Sequence, residues 1–185
     1  MRVLVVGATG FVGRQLVESL HSAGHDVVAF SRSASQSQFS DDVELFEGDL
    51  GDPTSLEGLC DGIDVAYYLI HSLTADNFAD LDRTYARRFR EVASAAGVDR
   101  VVYLSGISGD ERNLSPHLAS RREVESVLEA GSFDLTVLRA AIIIGAGSVS
   151  FRIVDDLTDR LPVVTFTAQK GGACRWTPVL TTKRW

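Results

Sequence analysis

The residues best placed to do chemistry lie at the very start of the chain. The apolar run Val3-Leu4-Val5-Val6 ends in glycines at positions 7, 10 and 13, and a helical pattern begins at once. A buried strand that turns sharply into a helix leaves backbone N–H groups pointing outward. With the positive end of the helix dipole, those groups make a site for a diphosphate. Within Gly7-Ala8-Thr9-Gly10-Phe11-Val12-Gly13, Gly7 allows the tight turn, Gly10 lets phosphates approach the backbone, and Gly13 lets the helix pack on the strand. An ordinary glycine-rich turn is the alternative. The context, after a strand and before a helix, favours the phosphate site.

A second set follows the next apolar run, Val27-Val28-Ala29-Phe30, which ends in Ser31, Arg32 and Ser33. Sites for NAD commonly carry Asp or Glu here, to bind the ribose hydroxyls. An acid would repel the 2′-phosphate of NADP, whereas Arg32 pairs with it through charge-assisted hydrogen bonds. Arg14 could reach the same region. For Arg14 the phosphate role and a solvated surface charge stay equally open. Asp49 sits where a carboxylate would meet an adenine amino group, with a turn-forming aspartate as the other reading. His71 and Ser72 follow a strand at the edge where open α/β sheets bind ligands. The expected cofactor contacts are Gly7, Thr9, Gly10, Phe11, Val12, Gly13, Ser31, Arg32, Asp49, Leu50, Leu69, Ile70 and His71. The expected ligand is NADP(H), with NAD(H) second. No metal site is expected: Cys60 and Cys174 have no metal-ligand spacing, and two cysteines without disulfide density fit a reducing cytoplasm.

The elements that must position these residues alternate between strand and helix. Strands are expected at 2–6, 27–30, 43–48, 65–70, 100–105 and 134–140. Helices are expected at 11–23, 76–96, 117–130 and 150–160, and Asp52-Pro53 reads as a helix start. Residues 33–42 are polar and serine-rich and read as a mobile loop. On the 76–96 helix, Phe78, Leu81, Tyr85, Phe89, Val92 and Ala96 mark the core face. Arg83, Arg87, Arg88 and Arg90 read as a solvated surface, although such a helix could also pair with a second subunit. This order implies an α/β fold: a Rossmann-type doubly wound parallel sheet in three layers. Residues 1–163 form the dinucleotide-binding domain and 164–185 an irregular tail.

The chain has 185 residues, enough for one domain with a real core. Its net charge of −7 leaves no basic surplus for a general nucleic-acid binder. No apolar run reaches the length of a membrane span, and the N-terminus reads as a core strand rather than a signal peptide.

The order of these signals resembles the extended and atypical short-chain dehydrogenase/reductase superfamily. The matching pieces are the glycine loop, Gly48-Asp49-Leu50, the strand ending in Ser105, and Leu138-Arg139 running into Ile144-Gly145. Tyr67-Tyr68-Leu69-Ile70-His71-Ser72 and Leu114-Ser115-Pro116-His117-Leu118-Ala119-Ser120-Arg121 narrow it. They look like the NAD(P)H-binding proteins labelled nucleoside-diphosphate-sugar epimerases, relatives of the nitrogen-metabolite-repression regulators. The resemblance implies a serine that polarises the substrate oxygen, and Ser105 matches it. It also implies a Tyr-x-x-x-Lys pair on the next helix for acid/base work, and no such pair is present. His117 and Arg121 have the same i, i+4 spacing. An arginine can donate to a ribose hydroxyl but cannot shuttle a proton, whereas a histidine can. His117 as a residue that caps or borders the helix is the simpler reading. The family's C-terminal substrate-covering region is short or missing after Val164, which suggests a truncated or frame-altered chain.

Two functions follow. One is an oxidoreductase or epimerase-like enzyme using NADP(H) on an unidentified small molecule, with Ser105, His117 and Arg121 as its catalytic residues. The other is a non-catalytic NADP(H)-binding redox sensor, favoured by the substituted acid/base pair. A fragment that has lost its function is the third reading, and it would dimerise to bury an uncovered sheet edge.

Overall fold

A computed structural model describes residues 1–33, 38–72, 77–107, 114–140 and 143. The chain divides into two units, Met1–Ala141 and Ile142–Trp185, and every element below belongs to the first. The expected helix at 150–160, the domain boundary at 163, Ile144-Gly145 and the tail 164–185 lie outside the described residues.

The strands are β1 (Arg2–Val6), β2 (Asp26–Ser31), β3 (Glu44–Glu47), β4 (Val65–Tyr68), β5 (Arg100–Gly106) and β6 (Asp134–Ala140). The helices are α1 (Phe11–Ser22), α2 (Phe78–Ala95) and α3 (Pro116–Glu129), with a 3₁₀ turn over Pro53–Leu56. All strand pairs are parallel, in the order β3-β2-β1-β4-β5-β6. The chain therefore winds outward from β1 to β3, returns to β4 beside β1, and winds out the other way. Where the direction reverses, between β1 and β4, the loops part and leave a crevice at the carboxyl ends of the strands.

Side chains alternate across the strands, and both faces are apolar. Leu4, Val6, Val28, Phe30, Ala66, Tyr68, Val101 and Tyr103 pack against Ala86, Phe89 and Ala93 of α2 and Val124 and Leu128 of α3. Val5, Val27 and Ala29 pack against Val17, Leu16 and Leu20 of α1. The fold is thus the three-layer doubly wound α/β arrangement. Tyr68 sits at the centre, with its ring 5.0 Å from Phe89 and 6.0 Å from Tyr103. Burying a side chain such as Phe89 contributes about 2 to 3 kcal/mol. At the opposite end of β1, Arg2 joins three strands: its guanidinium bonds Asp26 at 2.8 Å and Glu44 at 2.6 Å. Exposed pairs of this kind contribute up to about 1 kcal/mol each.

Three expectations need correction. β4 ends at Tyr68 rather than residue 70, because Leu69 and Ile70 leave the sheet for the crevice. The buried face of α2 is Asp82, Ala86, Phe89 and Ala93, while Ala96 is exposed and lies past the helix end. Leu81 and Tyr85 occupy the neighbouring stripe. The α2 arginines are not simply solvated: Arg83 pairs with Asp80 and with Glu123 of α3, and Arg88 donates to the Leu50 carbonyl at 2.8 Å. Among the described residues, no helix is long and apolar enough to cross a membrane.

Candidate functional site

The crevice is built from β1 outward. Gly7 has φ +93°, a left-handed conformation that glycine adopts without steric cost. This turn lets the N–H groups of Gly7 and Ala8 both reach the Phe30 carbonyl, at 3.2 and 3.3 Å. Gly10 is the N-cap of α1, and no side chain caps the helix. The N–H groups of its first turn are therefore the free donors that an anion would meet. A Cβ on Gly13 would stand 2.2 Å from the Gly7 carbonyl oxygen and 2.8 Å from Ala8 Cα, so only glycine lets α1 sit this close to the loop. A Cβ on Gly10 would meet only the Gly7 carbonyl, at 3.3 Å, and otherwise faces open space. Arg14 folds back along the loop, its Nε donating to the Thr9 carbonyl at 3.0 Å.

The loop opens onto a cleft of about 390 Å³. Ser31 and Arg32 line its β2 side, and Asp49 and Leu50 its β3 side. Arg32 is exposed, while the Ser31 hydroxyl is buried with no hydrogen-bond partner. A buried hydroxyl without a partner costs about 1 to 3 kcal/mol. Ser31 lines the cleft, and its hydroxyl has hydrogen-bonding capacity that no protein group uses. Asp49 Oδ1 accepts from the Gly51 N–H at 2.7 Å, and the Asp49 N–H donates to Ser55 Oγ at 2.9 Å. The turn-forming role of Asp49 is therefore present, alongside a place in the cleft wall. Asp52 caps the 3₁₀ turn, accepting from the Thr54 N–H.

Sequence reasoning missed Phe30, Leu81 and Tyr85, which also line the cleft, as does Ser72 beside His71. Leu81 and Tyr85 are four apart on α2 and read as core. The signal was present: α2 carries two adjacent apolar stripes, more than one core contact needs. Phe11, Val12 and Gly13 are not among the residues that line the cleft wall; they form the first turn of α1, and their N–H groups are the free donors at its N-terminus.

Leu69, Ile70, His71 and Ser72 line the β4 side of the cleft. His71 keeps solvent contact, but the protein packed around it lowers its pKa below the ordinary histidine value. The charges of Arg121 and His117 lower it further, while Asp82 opposes them. The structure therefore brings His117 and Arg121 into the neighbourhood of His71, although neither of those two lines the cleft wall.

The three expected catalytic residues are each engaged by protein. Ser105 is only 4% exposed. It shares a strand face with Tyr103, whose hydroxyl hydrogen-bonds the Ser105 side chain and the Arg121 carbonyl, the latter at 3.4 Å. Burial raises the Tyr103 pKa. Arg121 Nη1 donates to the Leu104 carbonyl at 3.1 Å. His117 stacks on Phe78 at the start of α2, ring centroids 4.6 Å apart. It does not cap α3. Ser115 does, its hydroxyl accepting from the Leu118 N–H, with Pro116 in the first helical position. Among the described residues, no group of three or more His, Cys, Asp or Glu could hold a metal ion.

Comparison with known proteins yields a consistent set. The sequence model of a family described as NAD(P)H-binding matches residues 7–163. The ceramide reductase of Caulobacter vibrioides is 33% identical over 172 residues, covering 90% of this chain and 54% of that protein. The chain thus spans about half the length of the curated relative. The crystal structure of Citrobacter sp. triphenylmethane reductase with NADP(H) superposes with a TM-score of 0.64 at 23% identity, over 77% of this chain and 50% of that one. The UDP-N-acetylglucosamine 4-epimerase of Bacillus cereus gives a TM-score of 0.69 at 17% identity, over 86% and 66%. At these identities the two structures establish the fold alone.

Proposed function

The chain belongs to the NAD(P)H-binding family, and from that membership we propose an NADP(H)-preferring oxidoreductase of the atypical short-chain dehydrogenase/reductase type. Its reaction passes a hydride between the nicotinamide and a carbonyl or alcohol carbon of a small organic substrate. The observation that carries the NADP preference is the pairing of Ser31 and Arg32 at the cleft, with the Ser31 hydroxyl buried and unpartnered.

In this reading the first-turn N–H groups of α1 hold the diphosphate. Ser31 and Arg32 hold the 2′-phosphate. Asp49 accepts from the adenine amino group, and Leu50, Leu81 and Tyr85 enclose the ring. Gly7, Leu69, Ile70 and His71, which line the β4 side of the cleft, would hold the nicotinamide half. The cofactor supplies the hydride chemistry. Ser105 orients the reacting oxygen, Arg121 donates to a ribose hydroxyl, and His117 or a water moves the proton. The relative named as a ceramide reductase supports the reductive direction.

A second reading is a non-catalytic NADP(H) sensor. The burial of Ser105, its hydrogen bond to Tyr103, and the engagement of Arg121 and His117 favour it. Nicotinamide absorbance followed over a panel of carbonyl compounds separates the two. The oxidoreductase is expected to consume NADPH, with the rate falling about 100-fold on Ser105→Ala, since removing one donor to a reacting oxygen costs that much. Tight NADPH binding with no turnover on any compound would leave the sensor. Equal affinity for NADPH and NADP would then count against sensing.

A further inference from the structure

The loop that closes the β4 side of the cleft is held by a residue that never touches the cleft. Asp82 lies on the buried face of α2 and is only 6% exposed. Its Oδ1 accepts from the Ser72 N–H at 2.8 Å, and its Oδ2 accepts from the Ser120 hydroxyl of α3 at 3.4 Å. No salt bridge to a cation reaches Asp82 among the described residues. Taking a carboxylate out of water is expensive unless its oxygens are satisfied. Here they are satisfied by two groups from two separate elements. One is the backbone of the segment that lines the cleft after β4. The other is the helix that carries His117 and Arg121.

We propose that Asp82 is the positioning residue of the nicotinamide half of the site, fixing the His71-Ser72 segment and α3 in one register. The proposal rests on the dinucleotide reading above. It deepens that reading by dividing the site into two halves, only one of which is held by the hydrogen bonds of Asp82. The adenosine half is built on β2, β3, the Leu50 carbonyl held by Arg88, and Leu81 and Tyr85 of the stripe beside Asp82 on α2; none of these is a partner in the two hydrogen bonds of Asp82. The other half lies across β1, where the sheet order places β4 and β5. A change at Asp82 therefore loosens one half and leaves the other intact. The charged and titratable groups that face His71 are Arg121, Asp82 and His117, which gives the tether a signature independent of any ligand.

The test uses the full chain and two probes: NADP, which spans both halves, and adenosine 2′,5′-bisphosphate, which fills only the first. Asp82→Ala is expected to weaken NADP about tenfold, as loss of a charge-assisted hydrogen bond does. It should leave the bisphosphate within about twofold. Asp82→Asn keeps an acceptor for the Ser72 N–H and is expected to restore NADP affinity. By removing the carboxylate charge it should also lower the pKa of His71, read by NMR titration against His21 and His25 at the far end of α1. Ser120→Ala removes only the α3 anchor and keeps the question open to measurement if Asp82→Ala does not fold. It too should weaken NADP and spare the bisphosphate. Asp80→Asn, exposed on the same helix, is the control. Equal loss of both probes, or no loss of either, would overturn the proposal. So would an Asp82→Asn variant as weak as Asp82→Ala, or a His71 pKa that Asp82→Asn leaves in place. If the wild-type chain binds neither probe, the dinucleotide reading itself has failed. The His71 titration then still decides whether Asp82 governs that segment.

Discussion

Gly13→Ala is expected to abolish dinucleotide binding and to lower stability by about 3 kcal/mol. The added Cβ would lie 2.2 Å from the Gly7 carbonyl oxygen, and 2.8 Å from both the Cα and the carbonyl oxygen of Ala8. Every one of those atoms is backbone, so no flexible side chain can move aside. Either α1 backs away from β1 or the loop opens. Both movements shift the first-turn N–H groups from the diphosphate. Gly10→Ala separates the two effects. Its Cβ would meet only the Gly7 carbonyl, at 3.3 Å, and it points into the space a phosphate would take. It is expected to fold nearly normally and still lose binding. Chemical denaturation and NADP titration of both variants make the comparison. A Gly13→Ala protein of wild-type stability and affinity would show that the loop geometry is wrong.

Arg32→Glu is the second large effect. Arg32 is exposed at the cleft edge, so its replacement should change stability by less than about 0.5 kcal/mol. Its effect on ligands is different. Two charge-assisted hydrogen bonds to the 2′-phosphate are lost, and a like charge is put in their place. Roughly 3 kcal/mol of lost binding corresponds to an affinity for NADP lower by about 100-fold. NAD has no 2′-phosphate, so its affinity should hold or rise as the carboxylate bonds the ribose hydroxyls. Calorimetric titration of the variant with both dinucleotides reads the reversal. A parallel fall for NADP and NAD would assign Arg32 to the diphosphate or to neither.

Much of this was legible from residue order. The glycine loop could be placed because its strand, turn and helix each carry a local signature. The doubly wound sheet followed from six apolar runs spaced by helical patterns. What failed was whatever depended on rotation about an axis or on a partner distant in sequence. The core face of α2 is only partly legible: Phe89 is fully buried and Tyr85 and Val92 pack against the core, but the periodicity does not mark Ala86 and Ala93, because Leu81 and Tyr85 are more apolar in pattern. Their half-buried position came from the cleft, which sequence periodicity does not represent. Asp82 stood as an unremarked acid on that helix. Its two partners are 10 and 38 residues away. His117 borders the start of α3, as Pro116 signals, and the cap itself is Ser115 one residue before that proline. The engagement of Ser105 by Tyr103 sets two residues of one strand against α3, and only the packed helix reveals it.

The central claim is that the loop from Gly7 to Gly13, with Ser31 and Arg32, forms an NADP(H)-preferring site. Calorimetry of the wild-type chain with NADP, NADPH, NAD and NADH tests it most directly. NADP and NADPH are expected to bind at micromolar Kd or tighter, about tenfold or more ahead of NAD and NADH, as one charge-assisted contact to the extra phosphate provides. Tighter binding of NAD and NADH, or binding of none of the four, would contradict it.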